Sequence, residues 1–105
     1  MTCRSLLKFG RYENRAITKS AEGQPCTMLS PNCNHDPRTT VWCHSNKQRH
    51  GKGKGIKAHD IFGFYGCSGC HDWYDRSDAS REEKDTYFQF AFEKSLLMLV
   101  QDGVL

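Results

Sequence analysis

No apolar run in this 105-residue chain approaches the roughly 18–20 residues that a bilayer-spanning helix needs. The opening MTCRSLLKFGRYENR has no stretch resembling the apolar core of a secretory signal. A cytoplasmic location is therefore expected, with no membrane partner. Internal repeats are absent. GKGKG, at 51–55, lacks the GxxxxGK[ST] spacing of a nucleotide-binding P-loop. Acids are scarce in the first part of the chain. Residues 1–59 carry eleven Lys or Arg against three Asp or Glu, whereas residues 60–105 carry four against nine. The net charge of +3 conceals this asymmetry, which points to a polyanion partner for the first part.

Hydrophobic residues make up 37% of the chain and charged residues 26%, too apolar for a disordered segment. The length suits one domain over residues 1–105. Within it, 1–24 form a basic N-terminal segment with a short helix expected near ITKSAEG. All three prolines fall between 25 and 38, in PCTMLSPNCNHDPR, a composition of loops and turns. TTVWCH (39–44) is rich in β-branched and aromatic residues and predicts a short strand. IFGFYG (61–66) predicts a second strand or a tight buried turn, and a helix is expected to start within CSGCHDWYDR. SREE at 80–83 has the form of a capping box. Tyr87, Phe88, Ala91, Phe92, Leu96 and Leu99 then recur with helical period. A long C-terminal helix over 80–102 follows, with Gly103 at its stop. The fold class is α+β.

Six cysteines in a reducing compartment more often hold a metal than pair as disulfides. Cys26 and Cys33 have six residues between them, Cys67 and Cys70 have two, and the pairs lie 33 residues apart. Four thiolates from two loops match a tetrahedral structural Zn²⁺ site. In so small a domain, metal binding would contribute directly to folding. Cys3 is expected to be free. Cys43, inside the first strand, is expected to be a buried thiol.

A zinc ribbon accounts for the cysteines and leaves the histidines and acids beside them unexplained. His44 ends the first strand. His71 follows the second cysteine pair, and Asp75, four residues on, shares its helix face. A ring nitrogen and a carboxylate presented together make half of a divalent-metal site with open positions. For Asp75 that reading stands level with simple attraction to the helix N-terminus, and for Asp72 the helix dipole is the simpler account. Lys47, Arg49, Lys52, Lys54 and Lys57 form an acid-free run suited to phosphate contacts, and the same run is also what a solvated loop looks like. Ser45 and Asn46 follow His44 and could orient it or a phosphate, or serve strand-end turn chemistry. Burial is the expectation for Trp42 and Trp73.

The order of a cysteine pair, a strand ending in histidine, a glycine-rich loop and CxxCH at a helix start resembles the HNH, or ββα-metal, endonucleases. CTMLSPNCN, HSNKQRHGKGKGIKAHD and CSGCHDWYD are most similar to the small phage- and prophage-encoded YbcO-like family of nucleases assigned by fold. The resemblance covers roughly residues 20–76. It implies a zinc-stapled ββα-metal core over 25–76. In that frame His44 is the general base, His71 a ligand of a catalytic Mg²⁺ or another divalent ion, and Asp75 a second ligand. Two positions depart from the pattern. Where the family has its middle asparagine, this chain offers Asp60, with His59 as a substitute. Where many members have a metal-binding residue just before the base, it has Cys43. The expected activity is hydrolysis of DNA phosphodiester bonds by a phage-encoded enzyme acting in the bacterial host cytoplasm. A zinc-stabilised nucleic-acid-binding module without catalysis, or a small phage interaction protein, fits the same sequence features.

Overall fold

A computed structural model describes residues 10–105, so Cys3 lies outside the described residues. The elements run α1 (Arg15–Ser20), β1 (Val41–His44), β2 (Gly63–Gly66), α2 (Ser68–Arg76) and α3 (Arg81–Gln101), with 3₁₀ turns at Pro37–Thr39 and Gln48–His50. The expected α+β class and long C-terminal helix are both present. Both strands are shorter than their sequences suggest. Thr39 belongs to a turn capped by the Asp36 carboxylate, and its hydroxyl accepts from the Ser68 amide at 3.1 Å. It therefore ties the start of β1 to the start of α2. Phe62 closes a turn onto the His59 carbonyl at 3.0 Å, so β2 begins one residue later.

The two strands pair antiparallel with Val41 opposite Gly66, Trp42 opposite Tyr65, Cys43 opposite Phe64 and His44 opposite Gly63. Side chains alternate across a strand. Trp42 and Tyr65 therefore join Ile17, Ala21 and Leu99 on one side. Cys43 and Phe64 join Met28, Trp73, Tyr74, Phe88 and Ala91 on the other. Both faces are covered and all four residues of β2 are buried. That is why IFGFYG reads as a continuous apolar run rather than an alternating one. Trp42, Trp73 and Cys43 are buried as expected.

A strand with one neighbour leaves its outer edge unpaired. Here Thr27 and Ser95 close it. The Thr27 amide and hydroxyl both donate to the Tyr65 carbonyl at 2.8 Å, and Ser95 Oγ accepts from the Tyr65 amide at 3.0 Å. Ser95 lies on the buried face of α3, among Phe88, Ala91 and Leu99. The helix starts where the sequence indicates, with Ser80 Oγ accepting from the Glu83 amide at 3.0 Å. It ends in a Schellman motif. Gly103 is left-handed at φ 76°, its amide donates to the Val100 carbonyl, and the Val104 amide donates to the Leu99 carbonyl.

Candidate active site and metal centre

The loop before β1 and the start of α2 bring Cys26, Cys33, Cys67 and Cys70 together, with all four sulfurs within 4.8 Å of one another. Cys26 and Cys70 are 3.5 Å apart, and Cys33 and Cys67 are 3.7 Å apart. A disulfide needs about 2 Å between sulfurs, whereas a tetrahedral zinc with Zn–S bonds of about 2.3 Å sets its sulfurs about 3.8 Å apart. The spacing fits a four-thiolate zinc site. Backbone amides already point at the sulfurs. Ser30 donates to Cys70 at 3.3 Å, Asn34 to Cys67 at 3.4 Å and Cys70 to Cys67 at 3.4 Å. To aim them, Leu29 and His35 take left-handed conformations at φ 54° and 57°. The hydrogen bond from Cys70, with amides of Leu29, Cys67 and Met28, holds the Cys26 thiol well below its ordinary pKa, and the same bond raises that of Cys70. Gly69 is required by this packing, since a Cβ there would collide with the Asn32 carbonyl oxygen.

The same knuckle fixes the direction of α2, and with it His71 and Asp75. Together with His44 and Asp60 they line one cleft of about 610 Å³. At one wall His44 Nε2 lies 2.8 Å from Asp60 Oδ1. That carboxylate is nearly inaccessible and heavily partnered. Arg11 Nη1 donates to Oδ1 at 2.7 Å and the Asn14 amide to Oδ2 at 2.6 Å. Burial alone would raise the Asp60 pKa, but the Asn14 amide, His44 and Arg11 outweigh it and hold the carboxyl below its usual value. Because the carboxylate accepts from Nε2–H, the neutral ring keeps its lone pair at Nδ1.

At the other wall His71 Nε2 lies 3.0 Å from Asp75 Oδ2, and Asn46 Nδ2 holds Asp75 Oδ1 at 3.0 Å. The bond to Asp75 raises the His71 pKa above its usual value. Burial opposes ionisation of Asp75, but its bonds to His71 and Asn46 prevail and its pKa is lowered. Two adjacent ligands of an octahedral ion with bonds of about 2.1 Å stand about 3.0 Å apart. The His71–Asp75 spacing is therefore that of a hydrogen-bonded pair and equally that of two ligands to one cation. Asp72 does not sit in the first turn of α2 as expected. It pairs with Arg76 at 2.7 Å on the exposed face.

A family model described as Putative nuclease YbcO matches residues 15–99. The chain belongs to the YbcO family. A solved structure of a putative bacteriophage protein from Escherichia coli str. K-12 substr. MG1655 shares the fold, with a TM-score of 0.64 at 23% identity over 83% of this chain and 99% of that one. Among curated proteins, none matches.

The remaining histidines of this YbcO-family chain are engaged elsewhere. His59 is buried, and its Nδ1 accepts from the Tyr12 amide at 2.8 Å, so it does not substitute for Asp60 at the His44 ring. His50 stacks on Phe62 with centroids 4.2 Å apart and bonds Ser45 Oγ at 2.6 Å. Ser45 thus holds a turn rather than the base. Cys43 faces the core, on the opposite side of β1 from Trp42, and is not among the clustered cysteines. The basic run divides. Lys52 and Lys57 line the His44 cleft. Lys47 and Arg49 line a neighbouring one. Lys54 is exposed in the turn between Gly53 and Ile56. Arg11, Asn14 and Arg15 belong to the site or its support and carry no motif in the sequence. Arg11 and Asn14 reach Asp60 across 49 and 46 residues of chain.

Proposed function

We propose that the chain is a divalent-metal-dependent DNA endonuclease of the HNH type. The observation that carries this reading is the cleft itself. Two His–Asp pairs face it, one on β1 and the loop before β2 and one on α2, between the cations Arg11, Arg15, Lys52 and Lys57. Hydrolysis of a phosphodiester needs a water stripped of a proton, offset of the charge that builds on the phosphate, and alignment of the two.

His44 is the group that takes the water's proton, at Nδ1, with Nε2–H fixed by Asp60. Water's oxygen bonds to phosphorus, the bond to the leaving oxygen breaks, and the imidazolium that results is stabilised by the Asp60 carboxylate. Asp60 acts only through His44 and is a positioning residue. His71 Nε2 and Asp75 Oδ2 would hold the divalent ion, and Asn46 keeps Oδ2 turned toward His71 by occupying Oδ1. The ion supplies Lewis-acid stabilisation of the phosphate and the leaving oxygen. Cys26, Cys33, Cys67 and Cys70 would hold a zinc that keeps the alignment, because Cys70 and His71 are adjacent in α2. Lys52 and Lys57 would draw the DNA backbone into the cleft without reading its sequence.

A second reading, a zinc-stabilised nucleic-acid-binding module without catalysis, draws support from the internal satisfaction of both pairs, which is also how purely structural networks look. Incubating supercoiled plasmid with the purified protein and Mg²⁺, Mn²⁺, Ni²⁺ or Zn²⁺, beside His44→Ala, separates the two. The nuclease reading expects cleavage by the parent that His44→Ala slows by ~10²-fold or more. Equal cleavage by both proteins, or none with any ion, sinks it.

A further inference from the structure

The active-site cleft has a neighbour. A second cleft of about 720 Å³ lies beside it, bounded by the loop after β1, the end of α2 and the first turns of α3. Asn46 and Asp75 line both. They form a fixed post between the two, because the Asn46 backbone amide donates to the Tyr74 hydroxyl at 3.0 Å while its side chain holds Asp75. The second cleft is rich in cations that come from two distant segments: Lys47 and Arg49 from the loop, Arg81 and Lys84 from α3.

These cations are not equivalent. Lys47 Nζ lies 3.8 Å from Asp85 and over the Phe88 ring at 5.4 Å, with only 15% of its side chain exposed. Lys84 Nζ donates to the Ser77 carbonyl at 2.8 Å. Both serve to fasten α3 to the rest of the chain. Arg49 and Arg81 are exposed, and among the described residues neither has an ion-pair partner. Two guanidinium groups line a groove whose own carboxylates are taken up elsewhere, Asp75 by His71 and Asn46 and Asp85 by Lys47. A planar, permanently charged fork of five donors is suited to phosphate oxygens.

We propose that this second cleft is a phosphate track for the same nucleic-acid substrate, gripped by Arg49 and Arg81 as it leaves the His44 cleft past the Asn46–Asp75 post. The inference rests on the nuclease reading and extends it: the substrate is a polynucleotide that continues beyond the scissile phosphate on the α3 side, and the N-terminal turn of α3 takes part in holding it. Arg81 lies outside the basic loop and carries no signal in the sequence.

Binding in the absence of added divalent ion tests the proposal without any cleavage. The full chain, zinc retained, is titrated against a fluorescein-labelled DNA duplex by anisotropy over a range of salt. Parent, Arg49→Ala, Arg81→Ala, the double variant and Lys94→Ala, which lies on neither cleft, are compared, with thermal midpoints measured to confirm folding. Each arginine variant should reduce the dependence of log K on log salt by about 0.9, and the double by about 1.8. Lys94→Ala should keep the parental slope. A folded double variant with the parent's slope overturns the proposal. A protein whose slope falls as expected yet never cuts DNA leaves the track standing and removes the catalytic reading. One that cuts with an unchanged slope does the reverse.

Discussion

Asp60 joins three parts of the chain that the sequence keeps apart. It bonds the His44 ring, the Arg11 guanidinium and the Asn14 amide, and its own carbonyl accepts from Trp42 Nε1 at 2.8 Å. Replacing it with Asn keeps the shape but offers the histidine and the arginine an amide. Asp60→Asn should slow cleavage by ~10²-fold or more, because the ring loses its fixed tautomer and the imidazolium its counter-charge. Circular dichroism should still report a folded protein, and a rate equal to the parent's would remove Asp60 from the mechanism. His71 gives a pH prediction. Asp75 raises its pKa from 6.5, so a proton competes with any cation over a window that opens above that value. Below the raised pKa, the ion concentration needed for half-maximal cleavage should rise about tenfold for each unit the pH falls, and level off above it. Asp75→Asn should move the break toward 6.5; a break that does not move would show that the pair does not hold the ion. At this scale the sequence was legible where spacing encodes geometry. CxxCH anticipated that Cys67 and Cys70 join the cysteine cluster, and His71 after it and His44 at the strand end both line the cleft. Arg11, Asn14 and Arg15 could not be read, because nothing in RYENR records the loop that folds over Asp60.

Among the elements, α3 was the most legible and β2 the least. A capping serine, a helical stripe and a stopping glycine all act within a few residues of one another, so local sequence carries them. The edge of β2 depends on Thr27 and Ser95, which lie 38 and 30 residues from Tyr65, and a serine within an apolar stripe resembles an interruption. Ser95→Ala removes the acceptor for the buried Tyr65 amide and should cost about 1–3 kcal/mol in chemical denaturation. Phe88→Ala should cost more, about 3–5 kcal/mol. Its ring is fully buried and stacks on Tyr74 and Phe92 with centroids 5.6 and 5.7 Å away. A loss below that of Ser95→Ala would mean that Phe88 is not a principal member of the core beside Phe64 and Tyr74. The strand ends were misread for a related reason. Thr39 has high strand propensity, yet its hydroxyl is committed to turn and helix contacts.

For the whole molecule, the four cysteines gather the loop before β1 and the start of α2 at one point, and among the described residues no disulfide joins those parts. Protein purified without added metal should contain about one zinc per chain. Stripping it with a chelator should collapse the thermal transition, and a chain that stays equally stable without metal would refute the staple. The charge asymmetry of the sequence also has a place in the fold: Lys52 and Lys57 of the basic run, with Arg11 and Arg15, surround the cleft. Whether that cleft cuts DNA is tested most directly by single-turnover plasmid cleavage across a range of Mg²⁺ or Mn²⁺ concentrations, with the parent, His44→Ala and His71→Ala side by side. The two variants should fail differently. His44→Ala should stay ~10²-fold slow at saturating ion, since the base is gone. His71→Ala should need more ion and recover part of the parental rate when it is supplied, since a ligand is gone. Parental cleavage by His44→Ala at saturating ion would contradict the account.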